Sequence, residues 1–199
     1  MTDPPGLRGT HADQMRQAPI QVIFETHSTS TDNENGIASG HADPPLSSLG
    51  EEQARQLGLR YTTVQIDAVY CSDLQRSYRT GEIAFATRPT LVTRDARLRE
   101  CDYGALTCSP ASQIAVQKLR RVRAPFRDGE SYEDSARRVC EALRDIAQRH
   151  LGSTVLVIGH RATQYGLEHW LRGVDLERAV TAPWQWRPGW TYVLTPGQI

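Results

Sequence analysis

The sequence predicts an α/β fold, a three-layer α/β/α sandwich around a mostly parallel central sheet. Two apolar runs carry that expectation. Ile20–Phe24 and Thr154–Ile158 are nearly free of polar residues, as strands buried on both faces are. Helical patterns follow both runs, and each run leads into a histidine, His27 and His160. Parallel strands deliver such residues to one carboxyl edge, where α/β proteins build their sites, so the two imidazoles are expected to share one.

The elements between these runs follow the same alternation. After Ile20–Phe24 comes a polar loop, Thr26–Pro45, and then Ser48-Leu-Gly-Glu51, read as a capping box. Ala54, Leu57, Gly58 and Tyr61 repeat behind it at helical spacing. Asp67–Tyr70 reads as a second strand, with Leu74, Tyr78, Gly81 and Phe85 on one face of the next helix. Leu91 and Val92 suggest a short edge strand, since Pro89 precedes them. The strongest helix pattern spans Ser131–His150, with Tyr132, Ala136, Val139, Cys140, Leu143, Ile146 and Ala147 on one stripe. A helix through Leu167, Trp170 and Leu171 ends near Gly173, and Trp190–Leu194 supplies a last strand.

Composition narrows the function. The chain has 199 residues, enough for one well-buried domain. Its 23 basic and 23 acidic residues balance, so no global field steers it to nucleic acid or a membrane surface, and a small-molecule partner is expected. The four cysteines form no paired motif, and no apolar run approaches membrane-spanning length, which together favour a cytoplasmic protein. Residues 1–18, polar and rich in Pro and Gly, read as a poorly ordered leader. A homodimer is left open.

Five segments then resemble, in order, the histidine phosphatase superfamily of phosphoglycerate mutase-like proteins, over roughly Ile20–Leu194. His27 is followed by Asn33 six positions on and by Ser39-Gly40 at twelve and thirteen, then by Pro45-Leu46-Ser47 and Gly50. Cys71–Thr80 resembles the family's S-x-L-x-R-A-x-x-T element, with Arg76 at the arginine position. Leu98-Arg99-Glu100 with Gly104 resembles its L-x-E…G segment, and Gly129-Glu130-Ser131 its GES helix start. His160 stands at its second histidine. The resemblance implies residues 19–199 as a single domain with a small cap at about 105–130. It implies His27 as phosphoryl acceptor, Arg76 as phosphate ligand, Glu100 as proton donor and His160 in support.

The chemistry is consistent with those residue types. A phosphohistidine route needs a neutral imidazole nitrogen in line with phosphorus. Three equatorial oxygens need fixed cationic donors, where a planar guanidinium gives two-point contacts. A carboxyl group beside a dianion can hold the proton that the leaving oxygen needs and take one from water afterwards. The N–H groups opening the helix behind His160 are expected to hold transferring oxygens. No metal or cofactor is required.

One departure stands out. Where the family has Arg-His-Gly this chain has Thr26-His27-Ser28, preceded by Glu25. Loss of a preorganised donor removes roughly 2.7–4 kcal/mol of transition-state stabilisation. Arg161, directly after His160, is the expected replacement. Thr26, Ser28, Asn33, Ser39 and Gly40 are candidate phosphate contacts, with turn and cap roles as alternatives for Asn33 and Ser39. Glu25 either pairs with an arginine, binds a substrate hydroxyl or turns to solvent. His41 is either a surface or packing residue, as His150 and His169 are expected to be, or lines the site through Ser39-Gly40. The basic stretch Lys118, Arg120, Arg121, Arg123 and Arg127 is either a solvated face or a seat for a second anionic group. Trp184, Trp186 and Trp190 either stack on a ring or pack. The expected activity is metal-independent hydrolysis of a small phosphate monoester. A mutase is the nearer alternative, but it must exclude water, which calls for a larger cap than Ala105–Asp128, so hydrolysis is the expected outcome. A phosphate-binding or regulatory protein with little catalysis is the other.

Overall fold

The computed structural model describes residues 18–88 and 92–199. The expected leader, Ala18 apart, and Pro89 and Leu91 lie outside them. In chain order the elements are β1 (Ile20–Thr26), α1 (Thr31–Glu34), β2 (Ile37–Ala38), α2 (Ser48–Arg60), β3 (Ala68–Cys71), α3 (Gln75–Ala84) and β4 (Val92–Arg94). There follow β5 (Ser109–Pro110), α4 (Ala111–Ala115), α5 (Tyr132–Arg149), β6 (Thr154–Gly159), α6 (Arg161–Arg172), α7 (Leu176–Thr181) and β7 (Trp190–Leu194).

Five strands form one sheet in the order β4-β3-β6-β1-β7. All neighbours are parallel except β7, which runs antiparallel to β1 along an edge. The central position of β6 explains its composition. Val155 and Val157 face a layer with Val139, Leu143, Ile146 and Leu167, while Leu156 and Ile158 face Leu57, Tyr61, Val69 and Phe85 on the other side. Each such side chain, fully buried, contributes about 1.5–3 kcal/mol, which a polar residue at these positions would forfeit. Helices α2 and α3 therefore cover one face and α5 and α6 the other.

Helix boundaries follow local chemistry. Ser131 caps α5, accepting from the N–H of Asp134, whose carboxylate in turn accepts from the Ser131 N–H. Gly173, at φ 66°, ends α6 in the left-handed conformation that glycine adopts freely. The start of α2 lies one residue earlier than the sequence pattern suggested. Ser47, not Ser48, is the cap, and its hydroxyl accepts from the N–H of Gly50. The close approach of Gly50 to the loop after β1 sets this register, because a Cβ there would lie 1.9 Å from the carbonyl oxygen of Thr29.

Between β4 and α5 the chain runs over the carboxyl edge of the sheet. A third apolar cluster, including Tyr103, Ile114, Val122, Phe126, Tyr132 and Tyr165, anchors this segment to α5 and α6. The β2–β5 ladder ties it to the loop after β1. No helix of the described residues is long and apolar enough to cross a membrane.

Candidate active site

Strands β1 and β6 are neighbours, and Thr26 pairs with Gly159, so the next residue of each strand is brought to the same point. The rings of His27 and His160 lie 4.9 Å apart between centroids, tilted by 55°. The N–H of His27 donates to the carbonyl of Gly159 at 2.9 Å, extending the ladder one residue past β1. Ring atom Nδ1 of His27 lies 2.7 Å from the carbonyl oxygen of Ser28. A carbonyl can only accept, so Nδ1 carries the proton and Nε2 keeps its lone pair. Ser28 is itself fixed through its N–H, which donates to the hydroxyl of Thr80 on α3.

Both imidazoles are held neutral. His27 is only half-buried, yet protein crowds its ring enough to press its pKa down to about 3. Desolvation leads, the charge of Arg76 adds to it, and the Ser28 carbonyl pulls weakly the other way. His160, 1% exposed, is pushed well below the histidine range by burial first, then by Arg76 and His27. Its ring nitrogens have no hydrogen-bond partner among the described residues. Such orphaned polar atoms are costly unless a ligand meets them. Its backbone is firmly set, the N–H donating to the Thr163 hydroxyl, which donates to the carbonyl of Leu98.

Arg76 opens α3 and is 2% exposed. Its two terminal nitrogens donate to the carbonyls of Gly40 and Ala42, both at 2.8 Å. Gly40 presents its carbonyl from a left-handed turn, φ 52°. One guanidinium thus fixes the loop after β1 and still has N–H groups to spare for an anion. Burial presses on its charge, and Glu100 leads the carboxylates that offset this.

Glu100 reaches the start of α6. Its carboxylate accepts from the N–H groups of Cys101 (2.8 Å), Ala162 (3.1 Å) and Arg161 (3.2 Å). The helix start behind His160 therefore holds this carboxylate, and its first N–H groups are not the open phosphate donors that the sequence suggested. The backbone of Glu100 is clamped as well. Arg138 on α5 donates to the carbonyls of Arg97, Arg99 and Glu100, each at 2.8 Å, and pairs with Glu130. His41 contacts the same Glu100 carbonyl through Nε2 at 2.9 Å.

The remaining expected contacts fall elsewhere. Glu25, 1% exposed, accepts on Oε1 from Tyr61 at 2.8 Å and from Arg60 at 3.0 Å, so it pairs with an arginine and joins β1 to the end of α2. Asn33 caps α1 reciprocally with Ser30, and the Ser39 hydroxyl donates to Asp32 at 2.8 Å, which are turn roles. Thr26 ends β1. Arg161 makes no hydrogen bond to either imidazole among the described residues. Its guanidinium bonds Gln164 at 2.5 Å and covers the ring of Trp184 at 3.8 Å, because a residue at the first helical position points along α6. Trp184 in turn stacks on Trp190, with centroids 5.4 Å apart, while 42% of it stays exposed. Arg138 and Thr163 were not read from the sequence. The one available signal was Ser135, a small polar residue inside the apolar stripe of α5 and 3.1 Å from Arg138.

A cleft of about 230 Å³ lined by Val122, Glu133, Ala136, His169 and Leu176 contains none of these groups, so chemistry and not size locates the site. Residues 22–189 match the histidine phosphatase superfamily, branch 1. The chain belongs to that superfamily. As a histidine phosphatase-type enzyme it has relatives in more than one activity. It is 32% identical to the "Probable phosphoglycerate mutase GpmB" of Citrobacter koseri, over 90% of this chain and 94% of that protein. It is 31% identical to "Phosphoserine phosphatase 1" of Hydrogenobacter thermophilus, over 80% and 79%. Bacillus stearothermophilus YhfR superposes with a TM-score of 0.73 at 28% identity, covering 85% of this chain and 88% of that one. A mycobacterial glucosyl-3-phosphoglycerate phosphatase shares the fold, with a TM-score of 0.74 at 21% identity, over 82% and 87%.

Proposed function

We propose that this protein hydrolyses a small phosphate monoester without a metal, through a phosphohistidine on Nε2 of His27. The observation that supports this most is the Ser28 carbonyl on Nδ1, which reserves the proton for that atom and leaves Nε2 as a nucleophile. In the first step the Nε2–P bond forms as the ester P–O bond breaks, and Glu100 gives a proton to the leaving oxygen. In the second, water attacks phosphorus, the N–P bond breaks and Glu100 receives the proton. Arg76 carries the phosphoryl charge, and the one N–H of the neutral His160 ring donates to its oxygens.

The similarity to a phosphoserine phosphatase favours hydrolysis. The similarity to a protein named as a phosphoglycerate mutase favours a second reading, in which the phosphoryl group returns to the ester at another oxygen. The test is rapid quenching after mixing with a labelled aryl phosphate. We expect an acid-labile protein adduct, absent in His27→Ala, together with release of inorganic phosphate. Transfer of the labelled phosphoryl group from that adduct to added phosphoglycerate, with little free phosphate, would establish the mutase. A protein that turns over ester with no adduct would refute the His27 route.

A further inference from the structure

We infer that His41 is a positioning residue that couples the loop gripped by Arg76 to the backbone of Glu100, so that phosphoryl group and proton donor are held in one frame. This rests on the reading of Arg76 and Glu100 given above.

The loop around His41 is held at many points. Arg76 takes the carbonyls of Gly40 and Ala42, one on each side of His41. The N–H of Ala42 closes a turn onto the Ser39 carbonyl at 2.8 Å, and the Ser39 hydroxyl donates to Asp32. On the other side the Asp43 carboxylate accepts from the N–H of Gln75, the neighbour of Arg76 in α3, at 2.6 Å. A Cβ on Gly40 would lie 3.1 Å from the ring of Tyr103 and 3.2 Å from the Thr107 hydroxyl, so the turn packs directly on the segment that follows Glu100. A side chain that leaves so fixed a backbone starts from a fixed place.

From there the ring reaches the acid. Nε2 of His41 lies 2.9 Å from the carbonyl oxygen of Glu100, and because a carbonyl only accepts, Nε2 carries the proton. Nδ1 faces the Asp102 carboxylate at 3.6 Å, and Glu130 stands 4.0 Å from Nε2. Both carboxylates are fixed in turn, Asp102 by the N–H of Gly104, and Glu130 by the N–H of Asp102 and by Arg138. The Glu100 carbonyl thus receives two donors, Arg138 from α5 and His41 from the loop after β1. Arg138 ties the acid to a helix layer, whereas His41 ties it to the loop that Arg76 holds. A proton donor works only within hydrogen-bond reach of the leaving oxygen, so this link acts on proton transfer more than on phosphate binding.

The experiment compares kcat/KM for two aryl esters of the same shape, 4-nitrophenyl phosphate, whose leaving oxygen departs as a stable anion, and phenyl phosphate, whose leaving oxygen needs a proton. In His41→Leu we expect phenyl phosphate to lose about tenfold and 4-nitrophenyl phosphate less than about threefold, a part of what proton transfer supplies. His41→Gln, whose amide N–H falls near the place of Nε2, should restore phenyl phosphate. Glu100→Gln should show the same selective loss, and His41→Leu added to it should bring no more. An equal fall for both esters in His41→Leu, or no fall in either, would overturn the inference, and so would His41→Gln behaving as His41→Leu does. Should His41→Leu not fold, His41→Asn, whose shorter amide stops short of the carbonyl, takes its place against His41→Gln. Failure of the phosphohistidine route is read separately, as absence of the His27 adduct from 4-nitrophenyl phosphate in the unaltered protein.

Discussion

Arg138 donates a hydrogen bond to the backbone carbonyl of Glu100 at 2.8 Å, although it sits on a different layer of the fold. The same guanidinium takes the carbonyls of Arg97 and Arg99 and is steadied by Glu130. On the proposed route, in which Glu100 is the acid, Arg138 is a positioning residue for it. Arg138→Ala should lower kcat about 10²-fold, the usual effect of displacing a reacting group by about 1 Å. KM should change far less, and the alkaline limb of the pH–rate profile should move. A folded variant with unaltered kcat and profile would remove Arg138 from this role.

Arg76 holds the loop and, on the proposed route, also the phosphoryl group, so its loss should register twice. Arg76→Ala leaves the carbonyls of Gly40 and Ala42 without partners, at about 1–3 kcal/mol of stability in urea unfolding. Turnover should fall at least about 10²-fold. Arg76→Lys should recover little of either, because one ammonium cannot span both carbonyls and a phosphoryl group.

The depressed pKa of His27 has a defined consequence for stability. Between pH 6.5 and about 3 the unfolded chain holds a proton on this ring that the folded chain does not. Stability is therefore full above pH 6.5 and declines as pH falls through that window. In His27→Gln that part of the acid sensitivity should vanish, seen as a smaller drop in the urea midpoint between pH 7.5 and pH 4.5. An identical drop in both proteins would contradict the neutral, crowded ring. In the same range kcat/KM should show no limb near pH 6.5 arising from His27.

Glu25 offers a contrast between structural and functional carboxylates. Glu25→Ala removes the acceptor for the Tyr61 hydroxyl and the counter-ion of Arg60, and should destabilise the fold by about 1–3 kcal/mol. Turnover of the folded fraction should stay within a factor of two or three. A large loss of turnover at undiminished stability would return Glu25 to the substrate.

The sequence by itself determined the α/β class, the succession along the chain of the main-sheet strands and the helices that cover them, membership of the superfamily and the meeting of His27 with His160. These are written in local patterns. The apolar runs mark the strands, helical periodicity marks the layers, and a residue that ends a parallel strand goes to the carboxyl edge wherever that strand sits. Strand order did not follow from such patterns, since β6 takes its place between β3 and β1 through contacts distant in sequence. The partners of individual polar groups were likewise decided only by tertiary structure. Glu25 turned to Arg60, the start of α6 took Glu100 in place of phosphate, and Arg161 lay along its helix onto Trp184. A hydrogen bond depends on tenths of an ångström between elements that only packing brings together, whereas the hydrophobic pattern needs no more than the right face.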